Sequence, residues 1–278
     1  DGLLIDPLHL LLACLAAGLI AGSAYTARAL SPGGALAAFV LGSVVFGLGG
    51  FSWAVVLVVF FVTSSGLSFL FKKRKAGVEA DFSKGGRRDA GQVIANGGVA
   101  GAAVLVHVLA PQSALPWVAY CAALAAATAD TWATELGVLS RKQPRLMTTW
   151  KVVSAGTSGG ISVVGTAAAA LGALMIVVVG LVFWPSGLGS GYERWILSAI
   201  VLLGGLAGSL VDSLLGATLQ AIYWCPTCQK ETEKHPQHSC GARTTQMRGL
   251  PWLNNDWVNL ACTGSAAALA GIISLLLI

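Results

Sequence analysis

Two short polar islands interrupt otherwise apolar segments of this chain. Ala127-Thr-Ala-Asp-Thr-Trp-Ala-Thr-Glu-Leu-Gly137 carries Asp130 and Glu135, and Gly208-Ser-Leu-Val-Asp-Ser-Leu-Leu-Gly216 carries Asp212. Carboxylates at membrane depth are costly, and they mark places where ions, protons or substrates are handled. The islands point to a membrane enzyme or transporter that handles a cation, and a phosphate with it. A third group, Leu253-Asn-Asn-Asp-Trp-Val-Asn259, sets Asn255 and Asn259 on one helical face with Asp256 three residues from Asn259. Such a group supplies hard oxygen ligands and amide donors suited to magnesium and phosphate oxygens. Structural readings compete with these: a buried helix-to-helix hydrogen bond for Asp130 and Asp212, an interfacial position for Glu135, and an N-cap for Asn255.

The elements that must position these groups are membrane helices. The 278 residues are 55% hydrophobic and only 10% charged, where a soluble domain carries about 25% charge. Eight stretches approach or exceed the roughly 20 residues that a spanning helix needs: 8–27, 33–50, 52–71, 92–110, 114–136, 157–183, 195–222 and 257–278. None alternates as a barrel strand would. The 33–71 stretch, broken at Gly49-Gly50, also admits one re-entrant element and one span. The expected fold is therefore all-α: a polytopic helical bundle forming one membrane domain over 1–278. With the N-terminus outside, Arg28 and the 72–91, 137–156 and 223–256 loops face the cytoplasm and hold 16 of the 17 Lys and Arg residues. Only Arg194 is left outside, as the positive-inside rule requires. Trp53, Trp117, Trp184 and Trp195 near outer ends, and Trp150, Trp224, Trp252 and Trp257 near inner ones, read as an aromatic belt. The net charge of +5 is then topological and implies no nucleic-acid partner. The expected location is the cell membrane, multi-pass, with an oligomer left open.

Three cytoplasmic loops add candidates. Lys72, Lys73, Arg74 and Lys75 read as an anchor to anionic headgroups. Beyond Lys84, Arg87, Arg88, Asp89, Gln92 and Asn96 form a polar stripe that enters the membrane. Lys151 leads into Gly156-Thr-Ser-Gly-Gly160, where Thr157, Ser158, Gly159 and Gly160 at a helix start suit an anion; a plain helix cap fits them too. The 223–256 loop holds Cys225-Pro-Thr-Cys228, His235, His238 and Cys240. This spacing fits a closed, structural zinc site of three thiolates and one imidazole.

By helical rise, Asp130 lies about 20 Å, Glu135 about 27 Å and Asp212 about 25 Å along their inward spans. With Asp89 and Asp256 they gather near the inner leaflet. The sequence has no Walker loop, nucleophile elbow or His-Glu-x-x-His, and His9 and His107 fall near outer ends. Carboxylates, a Gly/Ser/Thr turn and nearby basic residues suit metal-assisted phosphoryl transfer, in which positioning and charge neutralisation do most of the work. A phosphate acceptor is already anionic and needs little help from a base.

Five strings in order along the chain resemble the transmembrane-protein-nineteen family, which includes plant phytyl-phosphate kinase: Arg88-Asp-Ala-Gly-Gln-Val-Ile-Ala-Asn-Gly97, Ala129-Asp-Thr-Trp-Ala-Thr-Glu-Leu-Gly137, Gly156-Thr-Ser-Gly-Gly-Ile-Ser162, Gly208-Ser-Leu-Val-Asp-Ser-Leu-Leu-Gly-Ala-Thr218 and Asn255-Asp-Trp-Val-Asn259. That family is distantly similar to phytol and dolichol kinases and to CDP-diacylglycerol synthase, which use CTP or another nucleoside triphosphate with Mg2+. The resemblance implies a kinase that converts an isoprenyl monophosphate, such as phytyl phosphate, to the diphosphate. It places Asp130 and Glu135 in a nucleotide and metal motif, Thr157, Ser158 and Gly159 in a phosphate loop, and Asp212 and Asp256 in further polar motifs. On this expectation Asp130, Asp212 and Asp256 hold magnesium, while Arg88, Lys151 and the Gly156–Gly160 turn bind phosphates. Arg87, Asn96, Asn255 and Asn259 complete the set. The Cys/His loop is an insertion outside the shared chemistry. Two other classes stay open: a CTP-dependent cytidylyltransferase making a CDP-lipid, and a cation-coupled transporter.

Overall fold

The computed structural model describes residues 6–79, 87–189 and 191–277. Eight helices run in order: α1 (Pro7–Thr26), α2 (Pro32–Val44), α3 (Phe51–Glu79), α4 (Ala90–Leu109), α5 (Leu115–Gly137), α6 (Val163–Val182), α7 (Glu193–Thr218) and α8 (Asn255–Leu277). A π turn over Val45–Gly49 lengthens α2, and Gly50 at φ 78° ends it. Together they run 18 residues, about 27 Å, so this segment has the length of a span and not of a re-entrant loop. The Lys84 side of the proposed basic anchor, and the side chains of Lys72 to Lys75, lie outside the described residues.

Among the described residues, seven helices are long and apolar enough to cross a membrane; α5 falls short. The reason is its place. It packs against α3, α4, α6, α7 and α8, and every residue from Tyr120 to Ala129 is buried. A helix ringed by protein need not be hydrophobic towards lipid, and its alanines combine high helix propensity with a thin cross-section. Lipid-facing leucines sit instead on peripheral helices such as α1, where Leu11, Leu15 and Leu19 are exposed.

Close approach to α5 depends on small residues. At Gly208 of α7, a Cβ would lie 2.6 Å from the Cys262 carbonyl oxygen and 2.7 Å from Ala126 Cβ. Here α5, α7 and α8 meet backbone to backbone, four residues before Asp212.

The two ends of the bundle differ. At one, Trp53, Trp117 and Tyr120 are buried and pack ring on ring with His107 and Trp184; the Tyr120 hydroxyl donates to the Trp53 carbonyl at 2.5 Å. Trp53 and Trp117 thus form an internal plug and not the lipid belt expected of them, because each faces another helix. Trp195 and, at the other end, Trp150, Trp252 and Trp257 are exposed as a belt requires. At that other end Leu30 pairs with Arg88, and the loops after α5 and α7 fold over the helix ends. Strands β1 (Arg145–Leu146) and β2 (Gly160–Ile161) form a two-residue ladder. Strands β3 (Ile222–Cys225), β4 (Lys230–Thr232) and β5 (Thr245–Arg248) form a three-stranded antiparallel sheet. The 223–256 segment, expected as a loop, therefore contains a small ribbon, and the spans expected at 157–183 and 195–222 are helical over 163–182 and 193–218.

Gly208→Val should lower stability in detergent by about 1–3 kcal/mol, the usual cost of overpacking. Gly271→Ala, with nothing within 4 Å of its new Cβ, should leave it unchanged or slightly higher. Thermal unfolding of both variants beside the wild type checks this; equal melting points would remove the close-approach account.

Candidate functional site: a carboxylate cavity at the loop-covered end

A cavity of about 500 Å3 opens where α5, α6, α7 and α8 meet the loops. Asp130 and Asp212 both line it and stand close enough to interact directly. No donor among the described residues reaches the buried Oδ2 of Asp212. A buried carboxylate oxygen without a hydrogen-bond partner, beside a second carboxylate, is what a cation site presents. The donor set is hard oxygen and fits Mg2+.

Asn255 and Asn259, four apart on α8, line the same cavity. The alternative reading of Asn255 as the N-cap does not hold. Asn254 fills that role, its Oδ1 accepting from Asp256 N at 3.0 Å and Trp257 N at 3.3 Å.

The phosphate turn is also where the sequence predicts, though not as a helix start. Residues 156–160 form a turn ahead of α6, whose own cap is Ser162, accepting from Gly165 N at 3.1 Å. Thr157 N donates to Ser154 O and Gly160 N to Thr157 O, and Gly159 sits at φ 79°. A Cβ on Gly159 would run into the Ala217 backbone, and one on Gly216 would lie 2.8 Å from Gly159 N. This glycine contact seats the turn on the last coil of α7, one turn beyond Asp212. Thr157, Ser158, Gly159 and Gly160 thereby line the cavity with the carboxylates.

Other expected residues lie elsewhere. Glu135 is five residues from Asp130, about 140° around the helix, and faces α3. It is buried, accepts from Ser68 Oγ at 2.7 Å and acts electrostatically on Arg88. Arg88 itself lies over the Phe60 ring and lines a separate, mostly apolar hollow with Gln92 and Asn96. Arg87 is exposed and lines neither space. Asp89 makes a capping box with Gln92 at the start of α4. Asp256 starts α8 off the cavity lining, and Lys151 is exposed at the far side of the β1–β2 ladder.

The cavity's basic residues are instead Arg141 and Lys142, from the segment between α5 and β1. In the sequence both belong only to the positive-inside pattern, and nothing in their spacing marks them for the cavity. Also unforeseen are Gln220 and Glu233, which line the cavity with Ser213. Glu233 Oε1 accepts from Ser158 Oγ at 3.0 Å and from Gln220 Nε2 at 2.8 Å. The apolar part of the wall includes Ala169, Ala170, Leu206 and Leu210, and the exposed Thr166, Ala170 and Leu210 carry it to the outer surface between α6 and α7.

The Cys/His cluster is resolved to four residues. Donor atoms of Cys225, Cys228, His238 and Cys240 all lie within 4.8 Å of one another. His235 is not among them, because its ring stacks on Tyr223 at 4.4 Å. The His238 hydrogen bond holds the Cys240 thiol down at about 6, while its bond to Cys240 pushes Cys228 up to about 11.

A bundle of long apolar helices whose basic residues gather almost entirely at one end is a multi-pass integral membrane protein. The chain belongs to the family described as integral membrane protein DUF92, whose model matches residues 15–267. It is 32% identical over 271 residues to Protein PGR of Arabidopsis thaliana, covering 90% of this chain and 91% of that one. It is 32% identical over 193 residues to an uncharacterized membrane protein of Methanocaldococcus jannaschii, covering 69% and 76%. Protein VTE6, chloroplastic, of Arabidopsis thaliana is 24% identical over 245 residues, covering 87% of this chain and 64% of that one. These matches bear out the family resemblance drawn from the five motifs. No solved structure matches.

The half-buried pair should carry a stability cost. In EDTA, Asp130→Asn or Asp212→Asn should raise stability by about 1–2 kcal/mol, since an amide can donate to the remaining carboxylate. Glu135→Gln should lower it by a similar amount. Melting curves with and without EDTA decide this, and a destabilised Asp130→Asn would contradict it.

Proposed function

We propose that this protein is a membrane-embedded kinase that moves the terminal phosphoryl group of CTP, or another nucleoside triphosphate, onto an isoprenyl monophosphate such as phytyl phosphate. The observation that carries the reading is one cavity with two characters. It is anionic and amide-lined at Asp130, Asp212, Asn255 and Asn259, basic at Arg141 and Lys142, and apolar where it reaches the surface between α6 and α7. A lipid phosphate entering sideways and a nucleotide entering from water meet at the carboxylates. The family resemblance supplies the donor and acceptor classes.

Asp130 and Asp212 would hold Mg2+, which when bound neutralises charge on the phosphates. Thr157 and Ser158, on a turn fixed by Gly159, orient the triphosphate, and Arg141 and Lys142 draw it in and offset its charge. The Asn255 and Asn259 amides donate to phosphate oxygens or complete the oxygen shell. Attack comes from an oxygen of the lipid phosphate; that oxygen is already ionised, so no histidine base is required. The ring plug around Trp53 and Trp117 fills the far end of the bundle, which favours a one-sided pocket over a transport path. We place the protein in the cell membrane with this pocket open to the cytoplasm.

Purified protein in detergent with magnesium and labelled CTP is offered phytyl, geranylgeranyl and farnesyl monophosphates. The expected products are a lipid diphosphate and CDP. Asp130→Asn should reduce kcat by about 1,000-fold or more, the scale at which phosphoryl-transfer groups act, while remaining extractable and folded. Pyrophosphate release would identify a cytidylyltransferase instead. Wild-type turnover in Asp130→Asn would remove the assignment.

A further inference from the structure

We propose that Cys225, Cys228, His238 and Cys240 hold one zinc ion, and that the ribbon folded around it clamps the Gly156–Gly160 turn through Glu233 and Arg248. The metal half stands by itself; the catalytic use of the clamp rests on the kinase reading.

Three of the six donor-to-donor distances come close to the edges of a closed tetrahedron. Cys225 Sγ and Cys240 Sγ are 3.6 Å apart, Cys228 Sγ and His238 Nδ1 3.5 Å, and His238 Nδ1 and Cys240 Sγ 3.3 Å. Tetrahedral zinc with its usual bond lengths needs edges of about 3.5–3.8 Å. A disulfide would bring two of the sulfurs to about 2.05 Å, whereas the three cysteine donors and the one histidine donor all gather within 4.8 Å of one another. Three thiolates and an imidazole are soft ligands that select zinc over the hard cation suited to the carboxylate cavity. The two ligand pairs, Cys225 with Cys228 and His238 with Cys240, turn alike: the residue after the second ligand of each takes a left-handed conformation, Gln229 at φ 50° and Gly241 at φ 84°. Cys228 N donates to Cys225 Sγ at 3.5 Å. The ribbon has few buried side chains of its own, chiefly Ile222, Tyr223, Cys225, Thr232, His238 and Thr244. So small a core calls for a cross-link or metal to hold its shape.

What the ribbon holds is the phosphate turn. Glu233 immediately follows β4 and accepts from Ser158 Oγ and Gln220 Nε2. Arg248, at the end of β5, donates to Gly216 O at 2.8 Å and to Ser158 O at 3.4 Å, and pairs with Glu231 at 3.8 Å. Ser158 is thus held by its hydroxyl and its carbonyl from the end of β4 and the end of β5, on a sheet whose two connecting loops the ion would tie together. Glu233 is a positioning residue in this scheme, acting on substrate through Ser158.

Full-length wild-type protein purified in detergent without chelator should carry one zinc per chain by elemental analysis. No tightly held metal, or iron in its place, overturns the zinc site. Stripping the metal with phenanthroline should speed amide exchange over 154–160 by about tenfold or more, leave the buried core of α5 unchanged, and reverse on adding zinc chloride. Unchanged exchange with the zinc gone overturns the clamp, and this arm needs no variant to fold. Glu233→Gln should keep its zinc and its melting point while raising the CTP KM by about tenfold with a smaller change in kcat; an unaltered KM overturns the positioning role. If wild type consumes no nucleotide with any acceptor, the kinase reading fails, and the metal and exchange measurements still decide the zinc-held clamp.

Discussion

Two carboxylates on different helices can meet at membrane depth only if the helix backbones come closer than ordinary side chains allow. Around Asp130 and Asp212 that approach is made by Ala125, Ala126 and Gly208, with α8 joining at Cys262. Much else in the bundle follows from it. An alanine-rich α5 is thin enough to be approached from many sides, so it becomes the centre, and its neighbours take over contact with lipid. The polar groups it carries are then surrounded by protein, where a cation or a hydrogen bond can offset their desolvation.

The polar island on α5 serves two directions at once. Asp130 turns towards α6, α7 and α8 and the cavity, while Glu135 turns towards α3 and the Ser68 hydroxyl. One side meets the loops that could bind a nucleotide, and the other ties the central helix to the α3–α4 half through Arg88. A short motif in which both acids look equivalent therefore divides into a site residue and an internal anchor.

Much of this was legible in the residues. The eight helices, the charged end, the pairing of Asp130 with Asp212 and the joining of Asn255 and Asn259 follow from hydropathy, topology and helical spacing. Those quantities fix depth and face. They do not fix rotation about a distant neighbour, and so Glu135 and Asp256 were grouped with acids they do not join. Loop residues were harder. Lys151 is nearer in sequence to the phosphate turn than Arg141 and Lys142 are, yet the β1–β2 ladder carries it away. Glu233 lay in a segment that reads as an insertion, and only the ribbon's docking on α7 brings it to the cavity. Trp53 and Trp117 lie at the end away from the loops but face other helices, and depth alone cannot separate a ring facing lipid from one facing another helix.

The modest hydropathy of α5 bears on how the protein is made. A segment of alanine, threonine and two acids gains little by leaving the insertion machinery alone for lipid. Its natural environment exists only once α6, α7 and α8 have been synthesised, because those helices cover most of its surface. The central helix must therefore wait at the edge of the bilayer, or inside the translocation apparatus, until later segments arrive to enclose it. Membrane integration of this chain is in that sense a folding event, completed from the C-terminal half backwards.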